Sequence, residues 1–231
     1  MSKLIASMHD ENMKITIPGF YDKVLDLNDK DKNEILKAAI NTSDFKKSIG
    51  VKELYGDTDF SLTERIATRP TLDANGIYGG YTGQGSKTVL PSEAHAKISM
   101  RLVPKQDWKE ISELFKQHVL NFIPKNVTAT IKTHHGAEPY VTPTNSIAFE
   151  AATLAYKKSF GVDPFQQRGG GSIPIVPIFE KELGVKSILM GFGLDSDAIH
   201  SPNEHFGLFN FFKGIETIIY FYEFYTKKNN I

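Results

Sequence analysis

The pattern of hydrophobic residues changes along the chain near two closely spaced prolines, Pro139 and Pro143. Before them, residues 96–103 alternate between apolar and polar side chains, which is typical of a strand with one buried face. After them, residues 187–192 form an almost continuous apolar run, which is typical of a strand buried on both faces. The two patterns predict two units of different architecture that meet at residues 139–143.

The first unit is predicted to be an antiparallel sheet covered on one side by helices. In the strand at residues 96–103, Lys97, Ser99 and Arg101 share the polar face. Asp107 and Glu110 then resemble a capping box, and an apolar helical stripe continues from there to Pro124. Residues 127–131 alternate again, so strand, helix and strand follow one another with short connections. This order favours a ferredoxin-like α+β fold.

The second unit is predicted to have an α/β fold. Helices are predicted at residues 145–160 and up to residue 183, the apolar strand follows at residues 187–192, and an aromatic helix spans residues 205–225. So few strands cannot cover their own sheet edges or core. We therefore expect a partner segment to cover this unit.

Composition excludes several classes of function. Lysine and arginine together number 27, as do aspartate and glutamate, so no net charge attracts nucleic acid or an anionic membrane. There is no cysteine, which excludes disulfides, thiolate metal sites and cysteine nucleophiles. The apolar stretch in the first ten residues is too short for a signal peptide or a membrane span. A cytoplasmic location is the expectation.

A glycine-rich turn at residues 168–174 is the first candidate binding site. It leads into a predicted helix with Ser172 as its cap, and glycines allow an anion to approach backbone N–H groups closely. An ordinary flexible turn with a helix cap explains the same residues. A nucleophile elbow is excluded, because Pro174 stands where that motif requires glycine.

The loop at residues 193–204 is the second candidate site, because ligands of open α/β sheets bind at the carboxyl ends of the strands. His200 is the candidate metal ligand in this loop, and a surface histidine is the alternative. Glu204 either orients the His200 ring or opens the last helix as a first-turn acid. A zinc hydrolase needs at least three protein ligands and a general base. No Glu-Glu pair and no His-x-Asp motif occurs in the sequence, so His200 would need ligands from elsewhere.

Five motifs occur in an order that is similar to the carnosinase-like dipeptidases. They are IPGFY at residues 17–21, GGYTGQGSKTVLP at 79–91, RLVP at 101–104, GGSIP at 170–174 and HSPNE at 200–204. These dipeptidases belong to the metallopeptidase family that also holds carboxypeptidase G, aminoacylase and acetylornithine deacetylase. The motifs extend over nearly the whole chain, and they resemble only the later part of such an enzyme.

The resemblance implies an α/β catalytic domain with two zinc ions, interrupted by a lid domain that also forms a homodimer. Residues 1–143 would be the lid, without its first elements, and residues 144–231 the C-terminal segment of the catalytic domain. The family's remaining zinc ligands, its catalytic glutamate and a lid histidine would lie before the point that matches Met1. Manganese and cobalt are alternatives to zinc.

By motif match, His200 would be the last zinc ligand. Arg101 and Thr88 would meet the substrate from the lid, and Gly171 and Ser172 would hold its carboxylate or nearby backbone. The implied reaction of the complete enzyme is hydrolysis of dipeptides or small peptides by metal-activated water. The chain is expected to be inactive without the missing half of the catalytic domain. The alternatives are a non-catalytic lid and dimerisation fragment or truncated gene product, and a carboxylate-binding module.

Overall fold

The computed structural model describes residues 1–169 and 173–229 as a mixed fold of helices and strands, which confirms the predicted fold class. The chain divides into two compact units. Unit 1 comprises Met1–Tyr140 with Gln167–Pro177, and unit 2 comprises Val141–Gln166 with Ile178–Ile231. The boundary between a lid of residues 1–143 and a catalytic segment of residues 144–231 stays a prediction.

Unit 1 contains most of the regular elements of the chain. Its helices and strands are α1 (Ser2–Ala6), α2 (Asp29–Lys37), α3 (Thr42–Ile49), α4 (Leu62–Thr68), β1 (Thr71–Gly79), β2 (Ala94–Arg101) and α5 (Trp108–Phe122). The strands β1 and β2 pair antiparallel, with Thr71 opposite Arg101 and Gly79 opposite Ala94. The alternation predicted for β2 is confirmed, because Ile98 and Met100 pack against the core while the residues between them are exposed. The core consists of Met8, Ile15, Ile17, Phe20, Leu72, Ile111 and Val119.

The helix predicted after Asp107 is also confirmed. The Asp107 carboxylate accepts hydrogen bonds from the backbone N–H groups of Lys109 at 2.8 Å and Glu110 at 2.9 Å, which satisfies two donors that the helix leaves free. The helix ends at Phe122, two residues before Pro124, because the residue before a proline disfavours helical backbone. The predicted capping box is incomplete, since the Glu110 carboxylate pairs with Lys23.

The strand predicted at residues 127–131 is not found among the described residues. Ala129 and Ile131 still pack against the core, whereas Val127, the first residue of the predicted alternation, is 51% exposed. A strand also needs a neighbour for its backbone hydrogen bonds, and the sheet of the described residues contains β1 and β2 alone.

Unit 2 is built on two packed helices, α6 (Ile147–Phe160) and α8 (Leu208–Lys228). Ala151, Ala152 and Ala155 of α6 are buried, and Gly214 of α8 lies against the Phe192 ring, which a Cβ atom at that position would approach to 3.2 Å. The hydroxyls of Ser159 and Thr217 are both buried and lie 2.6 Å apart, which joins the two helices by a polar contact. The helix α7 (Ile175–Leu183) precedes the apolar run. None of the described helices combines the length and the apolarity that crossing a membrane requires.

The apolar run at residues 187–192 is not a strand in the described structure, contrary to the prediction. Two side chains bind its final carbonyl groups: the Tyr156 hydroxyl donates to the Gly191 oxygen at 2.9 Å, and the Asn210 amide donates to the Phe192 oxygen at 2.9 Å. A buried parallel strand requires strands on its flanks. The described part of unit 2 contains none, so the run has no ladder to join.

Candidate functional site

Arg101 lies on the exposed polar face of the hairpin, as predicted. It is the last residue of β2 and pairs across the sheet with Thr71. Lys97 and Ser99 lie on the same exposed face of the strand. A guanidinium in this position suits recognition of a carboxylate, because its N–H groups can donate two parallel hydrogen bonds.

Thr88 lies in the connection between β1 and β2, at residues 80–93, where it is exposed. The Tyr81 hydroxyl donates to the Gln84 backbone oxygen at 2.9 Å and braces this connection. Gly83 lies close to the ring, since a Cβ atom at that position would lie 2.5 Å from the Tyr81 hydroxyl oxygen and would displace this side chain. The β2 strand begins at Ala94, at the end of this connection, and terminates at Arg101. Eight residues of strand span about 23 Å.

The His200 loop comprises residues 193–205 and is organised by Asp197. The Asp197 side chain is 4% exposed, and its carboxylate accepts a hydrogen bond from the Leu194 backbone N–H at 2.8 Å. The Asp197 carbonyl accepts another from the His205 N–H at 3.0 Å. These two bonds close the loop on itself and leave His200 exposed between them.

The backbone of this loop is strained. Ala198, His200 and Asn203 have φ angles of 54°, 62° and 66°, in the left-handed region that favours glycine. Each such residue costs on the order of 1 kcal/mol and persists where surrounding contacts hold it. The hydrogen bonds of Asp197 supply such contacts. Strain of this kind concentrates at functional sites, which agrees with a functional loop here.

Tyr156 and Asn210 hold the segment that enters the His200 loop, through their bonds to Gly191 and Phe192. The Tyr156 ring also stacks on Phe192, with 5.3 Å between the ring centres. Burial raises the pKa of the Tyr156 phenol to about 12, so the hydroxyl remains a hydrogen-bond donor throughout the physiological range. The sequence offered no signal for Tyr156 or Asn210, because their partners are backbone carbonyls.

The described residues do not form a metal site. No group of three or more histidine, aspartate or glutamate side chains within them could hold a metal ion. His205 is engaged within the loop, with its Nδ1 atom 3.1 Å from the Asn203 oxygen and its Nε2 atom 4.0 Å from an Asp197 oxygen. In this part of the chain His200 could therefore contribute one ligand and no more. A catalytic zinc site requires three.

Two further predictions have different outcomes. Glu204 does not open the last helix, because α8 begins four residues later at Leu208 and has no acid in its first turn. Its predicted role in orienting His200 stays a prediction. Gly171 and Ser172 lie outside the described residues. The helix predicted after their turn is present as α7, which begins at Ile175.

Comparison with known proteins identifies the family. Residues 1–127 match the peptidase dimerisation domain of M20 peptidases. The chain belongs to the M20 metallopeptidase family. It is 32% identical to the Cys-Gly metallodipeptidase DUG1 of Candida albicans over 97% of its own length and 47% of the relative's. It is 26% identical to the human Beta-Ala-His dipeptidase over 95% of this chain and 44% of that protein.

Solved structures of the M20 family have the same fold. The M20 family metallo-carboxypeptidase Sso-CP2 of Sulfolobus solfataricus superimposes with a TM-score of 0.86 at 32% identity, over 97% of this chain and 51% of that one. The chain thus spans about half the length of the M20 relatives that it matches. The suspected resemblance to metallodipeptidases of this family is confirmed.

Proposed function

We propose that this chain forms the lid and the closing segment of the catalytic domain of a metal-dependent dipeptidase. The observation that carries the proposal is that two relatives named as dipeptidases, for Cys-Gly and for Beta-Ala-His, match almost the entire chain. The reaction is hydrolysis of the peptide bond in dipeptides or small peptides. A cytoplasmic location belongs to the proposal and is supported by the absence of cysteine.

Each candidate residue has a proposed role. Arg101 pairs with the carboxylate of the substrate through charge-assisted hydrogen bonds. Thr88 donates or accepts a hydrogen bond at the substrate, and Gly171 with Ser172 binds its carboxylate or adjacent backbone. His200 supplies one ligand to a two-zinc centre, for which manganese and cobalt are alternatives. Because the described residues fall short of a zinc site, the chain is proposed to hydrolyse nothing without a segment that brings the other ligands.

A homodimer formed through the lid belongs to the same proposal. The match to a peptidase dimerisation domain supports it.

A non-catalytic lid and dimerisation protein is the second candidate. It is favoured by the lack of a metal-binding cluster in the described residues. The two candidates differ in what a metal-binding half would do when it is added. The dipeptidase proposal predicts peptide hydrolysis in the mixture, and the non-catalytic alternative predicts none.

The test reconstitutes the chain with a complementary half. The half of the Candida albicans Cys-Gly metallodipeptidase that this chain does not match would be purified, mixed with the chain and zinc, and assayed with Cys-Gly and Beta-Ala-His. Arg101→Ala should lower kcat/KM about 10- to 100-fold, as expected for the loss of a charge-assisted hydrogen bond. The matched control is Lys97→Ala, on the same exposed face of β2, which should leave kcat/KM unchanged. Equal activity of both variants would remove Arg101 from the site.

A further inference from the structure

The connection between β1 and β2, at residues 80–93, contains no helix or strand and holds the candidate substrate residue Thr88. Its base is tight, because Gly80 has a φ angle of 74° and a Cβ atom there would lie 3.3 Å from the Pro91 side chain. The two ends of the connection therefore lie close together. The residues between them have no strand ladder to join, so other contacts must fix the position of Thr88.

Tyr81 supplies such contacts at three points of the connection. Its hydroxyl donates to the Gln84 backbone oxygen at 2.9 Å. Its ring lies against Gly83, where a Cβ atom would approach the ring carbon Cζ to 2.7 Å. The Lys87 ammonium lies 5.5 Å from the centre of the ring, within the range of a cation–π contact. One side chain thus holds residues on both sides of the bend in the connection.

The contact with Lys87 reaches Thr88 through a single turn of the backbone. The Val89 N–H donates to the Lys87 carbonyl at 3.0 Å, which forms a γ-turn centred on Thr88. Thr88 itself is exposed. Because the three residues of a γ-turn are joined by one hydrogen bond, a fixed position of Lys87 also restricts the backbone of Thr88. The side chain of Tyr81 therefore restricts the residue that is proposed to contact the substrate.

We propose that Tyr81 is a positioning residue that acts on the substrate through Thr88. This inference rests on the proposed function, in which Thr88 forms a hydrogen bond with the substrate. A hydroxyl on an unbraced loop loses conformational freedom when it binds, and the contacts of Tyr81 remove part of that cost before the substrate arrives. Tyr81 is 47% exposed and lies outside the hydrophobic core of unit 1, so its contacts serve the connection rather than the fold of the unit.

The kinetic test uses Tyr81→Phe, which removes the hydroxyl and keeps the ring. The chain is mixed with zinc and the complementary half of the Candida albicans metallodipeptidase and assayed with Cys-Gly and Beta-Ala-His. The variant should raise KM about two- to tenfold, as for the loss of one hydrogen bond, and leave kcat unchanged. A merely structural role would lower the active fraction, and with it kcat, at constant KM. The matched control Tyr78→Phe changes a tyrosine of β1 that is 53% exposed, and both constants should stay within about twofold.

A double-mutant cycle tests whether the effect of Tyr81 passes through Thr88. Thr88→Val removes the threonine hydroxyl and keeps the shape of the side chain. In a chain that already carries Thr88→Val, the further change Tyr81→Phe should alter KM by less than about twofold. An equal effect of Tyr81→Phe in both backgrounds overturns the proposal, as does an unchanged KM or a fall in kcat alone in the single variant. An unchanged KM in Thr88→Val removes Thr88 from the site and overturns the proposal too.

A measurement on the chain alone separates this proposal from the proposed function. The NMR order parameter of the Val89 amide should be about 0.85 in the unaltered chain and fall below about 0.6 in Tyr81→Ala, which removes the hydroxyl and the ring together. The control Tyr55→Ala, at a side chain that is 81% exposed outside the hairpin, should leave this order parameter unchanged, and circular dichroism checks that both variants fold. A mixture of the unaltered chain that hydrolyses no peptide refutes the proposed function, whereas a fall confined to Tyr81→Ala still supports the restriction of the Thr88 turn by Tyr81. An order parameter that Tyr81→Ala leaves unchanged overturns the role of Tyr81, whether or not the mixture hydrolyses peptides.

Discussion

Gln106 connects two distant parts of unit 1, and Gln106→Leu tests how strongly this connection stabilises it. Gln106 is 2% exposed. Its side-chain amide donates to the Phe20 carbonyl at 2.8 Å, and its side-chain oxygen accepts from the Val103 N–H at 3.0 Å. Leucine has a similar size and can form neither bond, so the Val103 N–H donor and the Phe20 carbonyl acceptor both lose their partner.

The expected loss follows from these two bonds. Each unsatisfied buried group costs about 1–3 kcal/mol, and burial of the leucine methyl groups offsets part of the sum. We expect the free energy of unfolding of unit 1 to fall by about 2–4 kcal/mol. The free energy of unfolding falls by about 2 kcal/mol for each 1 M of urea in a protein of this size, so the urea concentration at the unfolding midpoint should fall by about 1–2 M.

Tryptophan fluorescence provides the assay, because Trp108 is the single tryptophan of the chain and lies in unit 1. Gln117→Leu is the matched control: Gln117 is exposed on α5, its amide bonds only to Glu113, and its loss should change stability by less than about 0.5 kcal/mol. Equal unfolding midpoints for Gln106→Leu and the unaltered chain would refute the argument. A loss as large in the Gln117 variant would refute it too.

Two further predictions concern pH and local stability. Hydrogen bonds from the hydroxyl and backbone N–H of Ser61, with Lys32 nearby, hold the pKa of Glu64 at about 2, below its ordinary 4.5. The stability that ionised Glu64 contributes is therefore complete above about pH 4.5 and is lost as the pH falls towards 2. Over this window, the urea unfolding midpoint followed by Trp108 fluorescence should fall less with decreasing pH in Glu64→Gln than in the unaltered chain. The same dependence of the midpoint on pH in both proteins would contradict this. In unit 2, residues 186–192 should exchange amide hydrogens much faster than the middle of α5, because the run has no strand partner in the described residues. Strong and uniform protection of residues 186–192 in a monomer would contradict this prediction.

Local signals predicted the parts of the fold that depend on local physics. The alternation in residues 96–103 was sufficient to predict β2, and the cap at Asp107 was sufficient to predict the start of α5. Both features depend on residues that are close together in the sequence. Residues 187–192 show the limit of such signals. Their apolar run describes an environment buried on both faces, and the described structure contains no strands to provide it.

The candidate site was predictable in part for a related reason. The sequence correctly placed Arg101 on the exposed face of β2 and His200 in an exposed loop after an apolar run, and their roles at the site stay predictions. Asp197 was missed, because its role consists of hydrogen bonds from the backbone N–H groups of Leu194 and His205. The sequence does not show that the loop brings these groups to Asp197. Glu204 was misjudged as an opening acid because the start of α8 was placed three residues too early.

The zinc content of the purified chain tests the central claim most directly. The proposal is that this chain contributes His200 and the lid to a metal site whose other ligands come from outside residues 1–231. Zinc would be measured by elemental analysis after dialysis against a weak chelator, for the chain alone and for its complex with the complementary half of the Candida albicans enzyme. The account predicts little zinc in the chain alone and stoichiometric zinc in the complex, reduced by His200→Ala and not by the exposed control His134→Ala. Stoichiometric zinc retained by the chain alone would contradict it.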